Sequence, residues 1–197
     1  TITITDGTPP SIDVAASDET VECDGAGNTA ALNAWLASNG GASPSDLCSD
    51  VTWTNDHSSL SNDCGETGET TVTFTATDNC GNASNTTATF AIEDTTNPSI
   101  DTQAVDLGLE CDDANQQAAI DAWLANNGGA TSSDICNTSA VTWTHDYVAG
   151  DENTGCGASG SVIVTFTAED NCGLTSTTNA TLTITDTTPP TIDVAAV

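Results

Sequence analysis

The chain contains no lysine and no arginine, against 29 aspartates and glutamates, for a formal charge of −29. This absence excludes whole classes of function. Without cations to neutralise phosphate, nucleic acid is excluded as a partner. Docking onto an anionic lipid surface is excluded for the same reason. Ion pairs can form only through histidine or a terminus, Lys–Asn isopeptide cross-links are impossible, and trypsin has no bond to cut. Methionine is absent as well, and aromatics make up only 4 %. No apolar run approaches the ~20 residues that a membrane span needs, so direct membrane insertion is not expected. The core must therefore be thin, built from Val, Ile, Leu, Thr methyls and four Trp, and it calls for staples. Uncompensated carboxylates repel one another, which opposes compaction and keeps chains apart. Divalent cations are the expected counterweight.

Against these absences stands a repeat. Cys23, Trp35 and Cys48 recur as Cys111, Trp123 and Cys136, each 88 residues on. Cys64, Cys80, Asp94 and Pro98 recur as Cys156, Cys172, Asp186 and Pro190, each 92 residues on. Residues 1–6 match the end of a copy and are read as the close of a preceding repeat. Residues 7–94 and 95–186 are read as two repeat domains, and 187–197 as the start of a further one. Such repetition usually supplies length, valency or surface rather than a single catalytic pocket. The joints Asp94-Thr95-Thr96-Asn97-Pro98 and Asp186-Thr187-Thr188-Pro189-Pro190 are short and stiffened by proline, so a rod is expected.

Eight cysteines at matching positions point to disulfides and hence to an extracellular location. A zinc site fits less well, since no Cys-x2-Cys pair exists and the two histidines fall at different positions of the repeat. Strand-length geometry allows Cys48–Cys80 with Cys23–Cys64, or Cys23–Cys48 with Cys64–Cys80. The second copy, with Cys111, Cys136, Cys156 and Cys172, has the same choice.

Alternating apolar and Thr-rich runs at 71–77, 88–92, 162–168 and 180–184 read as strands, with shorter ones at 12–14, 20–22, 51–54 and 141–144. Period-two patterning with frequent turn signals predicts a mostly β, two-sheet sandwich in each repeat. One segment departs from this. Residues 30–36 and 118–124 carry apolar side chains at helical spacing and end in Gly-Gly. They predict an inserted amphipathic helix of three to four turns, capped by Asp24 or Asn28 and by Asp112 or Asp113. Trp35 and Trp123 sit at core spacing rather than on a sugar-stacking platform.

The run Val-Thr-Phe-Thr-Ala-x-Asp-Asn-Cys-Gly at 72–81 and 164–173, followed by an acidic Thr-Pro linker, resembles the hyalin-repeat (HYR-like) family. The helix-bearing version with four cysteines, Glu-Cys-Asp and Ala-Trp-Leu-Ala-x-Asn-Gly-Gly, is similar to repeats of very large surface adhesins of gliding Bacteroidetes, the SprB type. The resemblance implies tandem immunoglobulin-like domains on a cell-surface filament that contacts a substratum, and it implies no catalytic residues. The final strand here lacks the Cys of animal hyalin repeats, so their disulfide pattern is not carried over. The Asp-Thr-Thr linkers resemble an O-glycosylation signal of that group, which would place sugar on Thr95 and Thr187.

No nucleophile–base pair recurs in both copies, so an enzyme is not expected. Calcium is the sharper expectation, since it takes six to eight oxygens from carboxylates, amides and carbonyls. The recurring candidates are Asp78-Asn79 and Asp170-Asn171 in a turn, Asp94 and Asp186 opening a linker, and Asp101 and Asp193 after it. Asp6 and Asp13 repeat the linker pair at the front. Structural Ca2+ at the joints, neighbouring repeats of the same chain, and an extracellular surface or polysaccharide are the expected partners. The expected function is the shaft of an adhesive filament, with a carbohydrate- or protein-binding module of a secreted protein as the alternative.

Overall fold

The computed structural model describes residues 1–137, 139–153, 155 and 159–192. They fall into two compact units, one of Thr1–Thr95 with Ile135–Ser139 and one of Thr96–Asp134 with Ala140–Val197. The first contains β1 (Ser11–Val14), β2 (Glu19–Glu22), α1 (Thr29–Ala37), β3 (Ser43–Ser45), β4 (Val51–Asn55), β5 (Gly68–Asp78) and β6 (Ala83–Glu93). β5 and β6 form a long antiparallel hairpin, to which β4 adds antiparallel and β2 parallel, in the order β2-β6-β5-β4. β1 pairs with β3 in a second, two-stranded sheet. The second unit repeats this plan with β7 (Ser99–Thr102), β8 (Leu107–Glu110), α2 (Gln116–Ala125), β9 (Thr131–Ser133), β10 (Thr142–His145), β11 (Gly160–Glu169) and β12 (Thr175–Thr185). Each unit is an immunoglobulin-like sandwich with one short helix set into it.

Strand alternation decides which face is dry. Val72, Phe74 and Ala76 of β5 are fully buried, while the threonines between them remain partly exposed. The helix closes this face. Trp35 meets Phe74 edge-on at 5.2 Å and leans on Phe90 at 5.5 Å. Its indole N–H donates to the Ser17 carbonyl at 3.1 Å, so burial leaves no polar group stranded. Trp123 repeats this with Phe166 at 5.1 Å and the Val105 carbonyl at 2.8 Å. Both tryptophans are core residues, as their spacing predicts.

The helices are shorter than the three to four turns expected, with nine and ten residues. Each stops where the backbone turns left-handed, at Asn39 and Gly40 (φ 56° and 62°) and at Asn127 and Gly128 (φ 54° and 64°). Only glycine fits the second position. A Cβ on Gly40 would stand 3.0 Å from Ala16 Cβ and 3.2 Å from Phe74 Cε2. Asn28 occupies the first N-cap, while Asn115 rather than Asp112 or Asp113 occupies the second. Asp113 is diverted because its carboxylate already accepts the Asn115 N–H at 2.8 Å.

The absence of cations leaves a clear mark on the sheets. Where a short outer strand stops, a carboxylate takes over its place in the ladder. Asp18, just before β2, accepts the Thr89 N–H at 2.8 Å, and Asp106, just before β8, accepts that of Thr181 at 2.7 Å. Asp56, just after β4, accepts the Thr73 N–H at 2.7 Å, and Asp146, just after β10, accepts that of Thr165 at 2.8 Å. These acids satisfy backbone donors that the missing strand residues would otherwise have served.

The disulfide pattern departs from both expected pairings. Cys23 is bonded to Cys136, Cys64 and Cys172 are disulfide-bonded as well, and Cys48, Cys80 and Cys111 are free thiols. Cys156 lies outside the described residues. The physical reason at Cys23 is that Ile135–Ser139 belongs to the first unit and runs past two left-handed glycines, Gly25 and Gly65. A Cβ on either would strike the carbonyl oxygen of Ile135 or Cys136, so glycine opens the path that brings Cys136 to Cys23. The Glu66 N–H fixes the passage by donating to the Cys136 carbonyl at 2.8 Å.

Replacing Trp35 by Ala removes the helix anchor and opens a cavity against two phenylalanines. The expected loss is about 3–5 kcal/mol of unfolding free energy, read from urea denaturation.

Candidate cation site

Three aspartates of the first unit converge beside β1. Asp6 lies in the segment leading into β1, Asp46 in the turn after β3, and Asp78 at the end of β5. One carboxylate oxygen from each lies within 4.8 Å of the others. Each acid is held by its own turn. Asp6 Oδ1 accepts the Thr8 N–H at 3.1 Å. Asp46 Oδ1 accepts the N–H groups of Cys48 and Ser49, both at 2.8 Å. Asp78 Oδ1 accepts those of Cys80 and Asn82, again both at 2.8 Å. The Asn82 amide bridges two of the three, donating to Asp78 Oδ2 at 2.7 Å and to the Asp6 carbonyl at 3.3 Å. Pro10, fully buried, anchors the leading segment, and its carbonyl accepts the Ser84 hydroxyl at 2.6 Å.

The electrostatics are unbalanced. Asp78 is only 5 % exposed. Burial pushes its carboxyl up, but the Asn82 amide and the N–H groups of Asn82, Cys80 and Gly81 outweigh burial and hold it below 3.8. Asp6 Oδ2 is buried and meets no donor. A cleft of about 360 Å3 adjoins the cluster, lined among others by Asp6, Pro9, Asp46, Leu47 and Cys48. The Cys48 thiol is pushed up, first by the Asp6 carboxylate, then by burial, then by Asp46, Cys80 and Asp78. The site thus favours a hard cation on oxygen over a thiolate-bound soft metal.

Of the expected ligands, Asp6 and Asp78 come together, and Asp46 joins them unforeseen. A signal for Asp46 was present, since Ser45-Asp46-Leu47-Cys48 recurs as Ser133-Asp134-Ile135-Cys136. Asp13 stands apart, its exposed carboxylate taken by the Ser45 hydroxyl at 3.0 Å, and Asp101 is held likewise by Ser133 at 2.9 Å. Asn79 is exposed and contributes a backbone N–H to Ser49 Oγ at 3.2 Å. Asp94 is half-buried and Asn171 exposed. Asp170 is 6 % exposed. Its Oδ1 accepts the N–H groups of Cys172 and Leu174 at 2.8 and 2.9 Å. Its Oδ2 is buried without a partner, because Leu174 replaces the amide that Asn82 offers Asp78. Asp186 accepts the Thr188 N–H at 3.2 Å, and Asp193 lies outside the described residues.

A second motif repeats in both units. Glu22 forks onto the linker residue Thr95, accepting its N–H at 3.0 Å and its hydroxyl at 2.8 Å. Glu110 does the same to Thr187 at 3.1 and 2.7 Å. The two expected sugar-bearing threonines are thus already hydroxyl donors.

No family model matches the chain, and none of the curated proteins does. Solved structures with some likeness include Drosophila N-cadherin EC1-4 (9 % identity, 91 % of this chain and 50 % of that one, TM-score 0.33). Mouse cadherin-23 EC22-24 is similar at 12 % identity, over 90 % of this chain and 67 % of that one, with TM-score 0.33. The human desmocollin-1 ectodomain is similar at 12 % identity, over 91 % and 42 %, with TM-score 0.31. The chain spans about half the length of N-cadherin EC1-4. No residue role is carried over from any of them.

Asp24 is held below 3.8 by the N–H groups of Asn28 and Ala26, and Asp56 by the N–H and hydroxyl of Thr73. Carboxyls more acidic when folded lend stability that is whole above 3.8 and is lost as pH falls through the folded values. Urea midpoints taken from neutral pH into acid should therefore show a shallower acid loss for Asp56→Asn than for wild type. In unreduced native protein, iodoacetamide should label Cys48, Cys80 and Cys111 but not Cys23 or Cys136, by peptide mass spectrometry. Labelling of Cys48 should accelerate as pH is raised above its usual range.

Proposed function

We propose that the chain is a repeat segment of an extracellular adhesive filament, of the kind that HYR-like repeats build in the surface adhesins of gliding Bacteroidetes. The repeat domains follow one another as residues 7–94 and 95–186. The observation that carries this is the repeated fork of Glu22 on Thr95 and of Glu110 on Thr187. Each bead grips the start of the linker that follows it with the same two bonds. A protein selected for one pocket has no need to repeat that grip, whereas a shaft needs it at each joint. Disulfide staples suit an oxidising exterior, and structural Ca2+ belongs to the same picture. Partners are neighbouring repeats and a polysaccharide or other extracellular surface, touched weakly at many points and made firm by avidity. A sugar-binding module with an aromatic platform is less well supported, since Trp35 and Trp123 are buried and Trp53 and Trp143 are half-buried.

Beads carrying many copies of the chain should hold to polysaccharide-coated glass under flow, while the free monomer at equal chain concentration should neither bind measurably nor displace them. Failure of the beads to adhere overturns the adhesive role, and tight one-to-one binding by the monomer would replace it with the binding-module role.

A further inference from the structure

We infer that Asp6, Asp46 and Asp78 bind one hard divalent cation of the Ca2+ type, which clips the segment leading into β1 onto the body of the first unit. The inference deepens the filament reading by giving its structural cation an address and a task. Oxygens bound to one Ca2+ at about 2.4 Å can lie at most about 4.8 Å apart, and the three carboxylates meet that limit. The chain holds no Lys or Arg that could neutralise them from within.

Proximity of acids alone would not suffice, and buried orphan oxygens supply the second observation. Asp6 Oδ2 is shut off from solvent and has no donor, in a site where its Oδ1 is already fixed by Thr8. Burying a carboxylate oxygen without a partner is costly, and a cation removes that cost. The same signature stands at the Asp78 position of the other repeat. There Asp170 is 94 % buried, with Oδ2 unmatched. All three positions recur in the sequence, Asp6 as Asp94, Asp46 as Asp134 and Asp78 as Asp170. The turns are also preset for the task. In each, Oδ1 is occupied by backbone N–H groups, and this fixes the side-chain direction before any ion arrives. Three carboxylate oxygens leave room for waters or a second oxygen of the same groups to complete six to eight ligands, which suits Ca2+ better than the stricter Mg2+.

The consequence is mechanical. Asp6 lies in the segment leading into β1, whereas Asp46 follows β3 and Asp78 ends β5. A shared ion ties the incoming chain to the bead, as the Glu22 fork ties the outgoing one.

The test uses the full chain, stripped with EDTA and titrated with CaCl2 by calorimetry, alongside thermal melts with and without Ca2+. The key variants are Asp46→Asn and Asp6→Asn, because an asparagine oxygen can still accept the N–H groups of each turn. Wild type should bind Ca2+ and melt higher with it, and each variant should lose one equivalent or bind it at least tenfold more weakly. In EDTA the variants should melt at or above wild type, since a mutual repulsion is gone, and in Ca2+ the order should reverse. A role confined to turn capping does not produce that crossover. Variants that bind the same number of ions as wild type with equal affinity place the cation elsewhere and overturn this inference, while leaving the filament reading standing. A wild type indifferent to Ca2+, or stabilised by Zn2+ alone, also overturns it. Bead adhesion is scored separately, so its failure does not bear on the site.

Discussion

Every structural solution in this protein answers to one constraint: 29 carboxylates must be accommodated by a chain without a single Lys or Arg. The only abundant donors are backbone N–H groups, hydroxyls and side-chain amides. Acids have accordingly been set where the backbone has donors to spare. They finish sheet ladders beyond short strands, as Asp18 and Asp56 do, and they close turns, as Asp78 and Asp46 do. A charge-assisted bond from an N–H to a carboxylate is stronger than a neutral one, so the lack of cations is turned into ladder and turn stability.

This explains why the outer strands can be so short. β2 and β4 have four and five residues beside central strands of eleven. A central strand flanked by such short neighbours would expose unpaired N–H groups, an invitation to edge-to-edge association. Capping by carboxylates satisfies some of those donors and adds like charge at the same place. That combination opposes the pairing of one such edge with another.

Much of this plan could be read from the residues. The repeat, the β5–β6 hairpin, the helix and its core tryptophan follow from periodicity, because strand and helix patterning is a local property. What could not be read is long-range. The helices fall short of three to four turns because they begin only after Asn28 and Asn115, while their ends lie at the Asn-Gly-Gly that the residues mark. The Cys23–Cys136 bond depends on where Ile135–Ser139 lies, and nothing local to either cysteine encodes that. β3 leaves no strand signature because Ser-Pro-Ser looks like a loop, and a proline in a three-residue edge strand is permitted only by its exposure to solvent on one side. Asp46 is hidden with it, since its value to the cluster depends on β1 and β3 pairing to bring the turn after β3 near Asp6.

The carboxylates therefore separate into two kinds, and the separation carries the functional picture. Those at ladder ends have a backbone donor of their own and are, electrostatically, finished. Those at Asp6 and Asp170 keep one buried oxygen that no group among the described residues answers. Folding tolerates such oxygens only where something outside the chain can meet them, or where their cost is accepted for a purpose. Asp6 leads into β1, whereas Asp170 lies in the turn between β11 and β12, so the unanswered oxygens fall at different places in the two units. At those two places a group from outside the chain, water or a cation, lowers the cost of the buried charge, which sets these acids apart from the ones that finish the ladders.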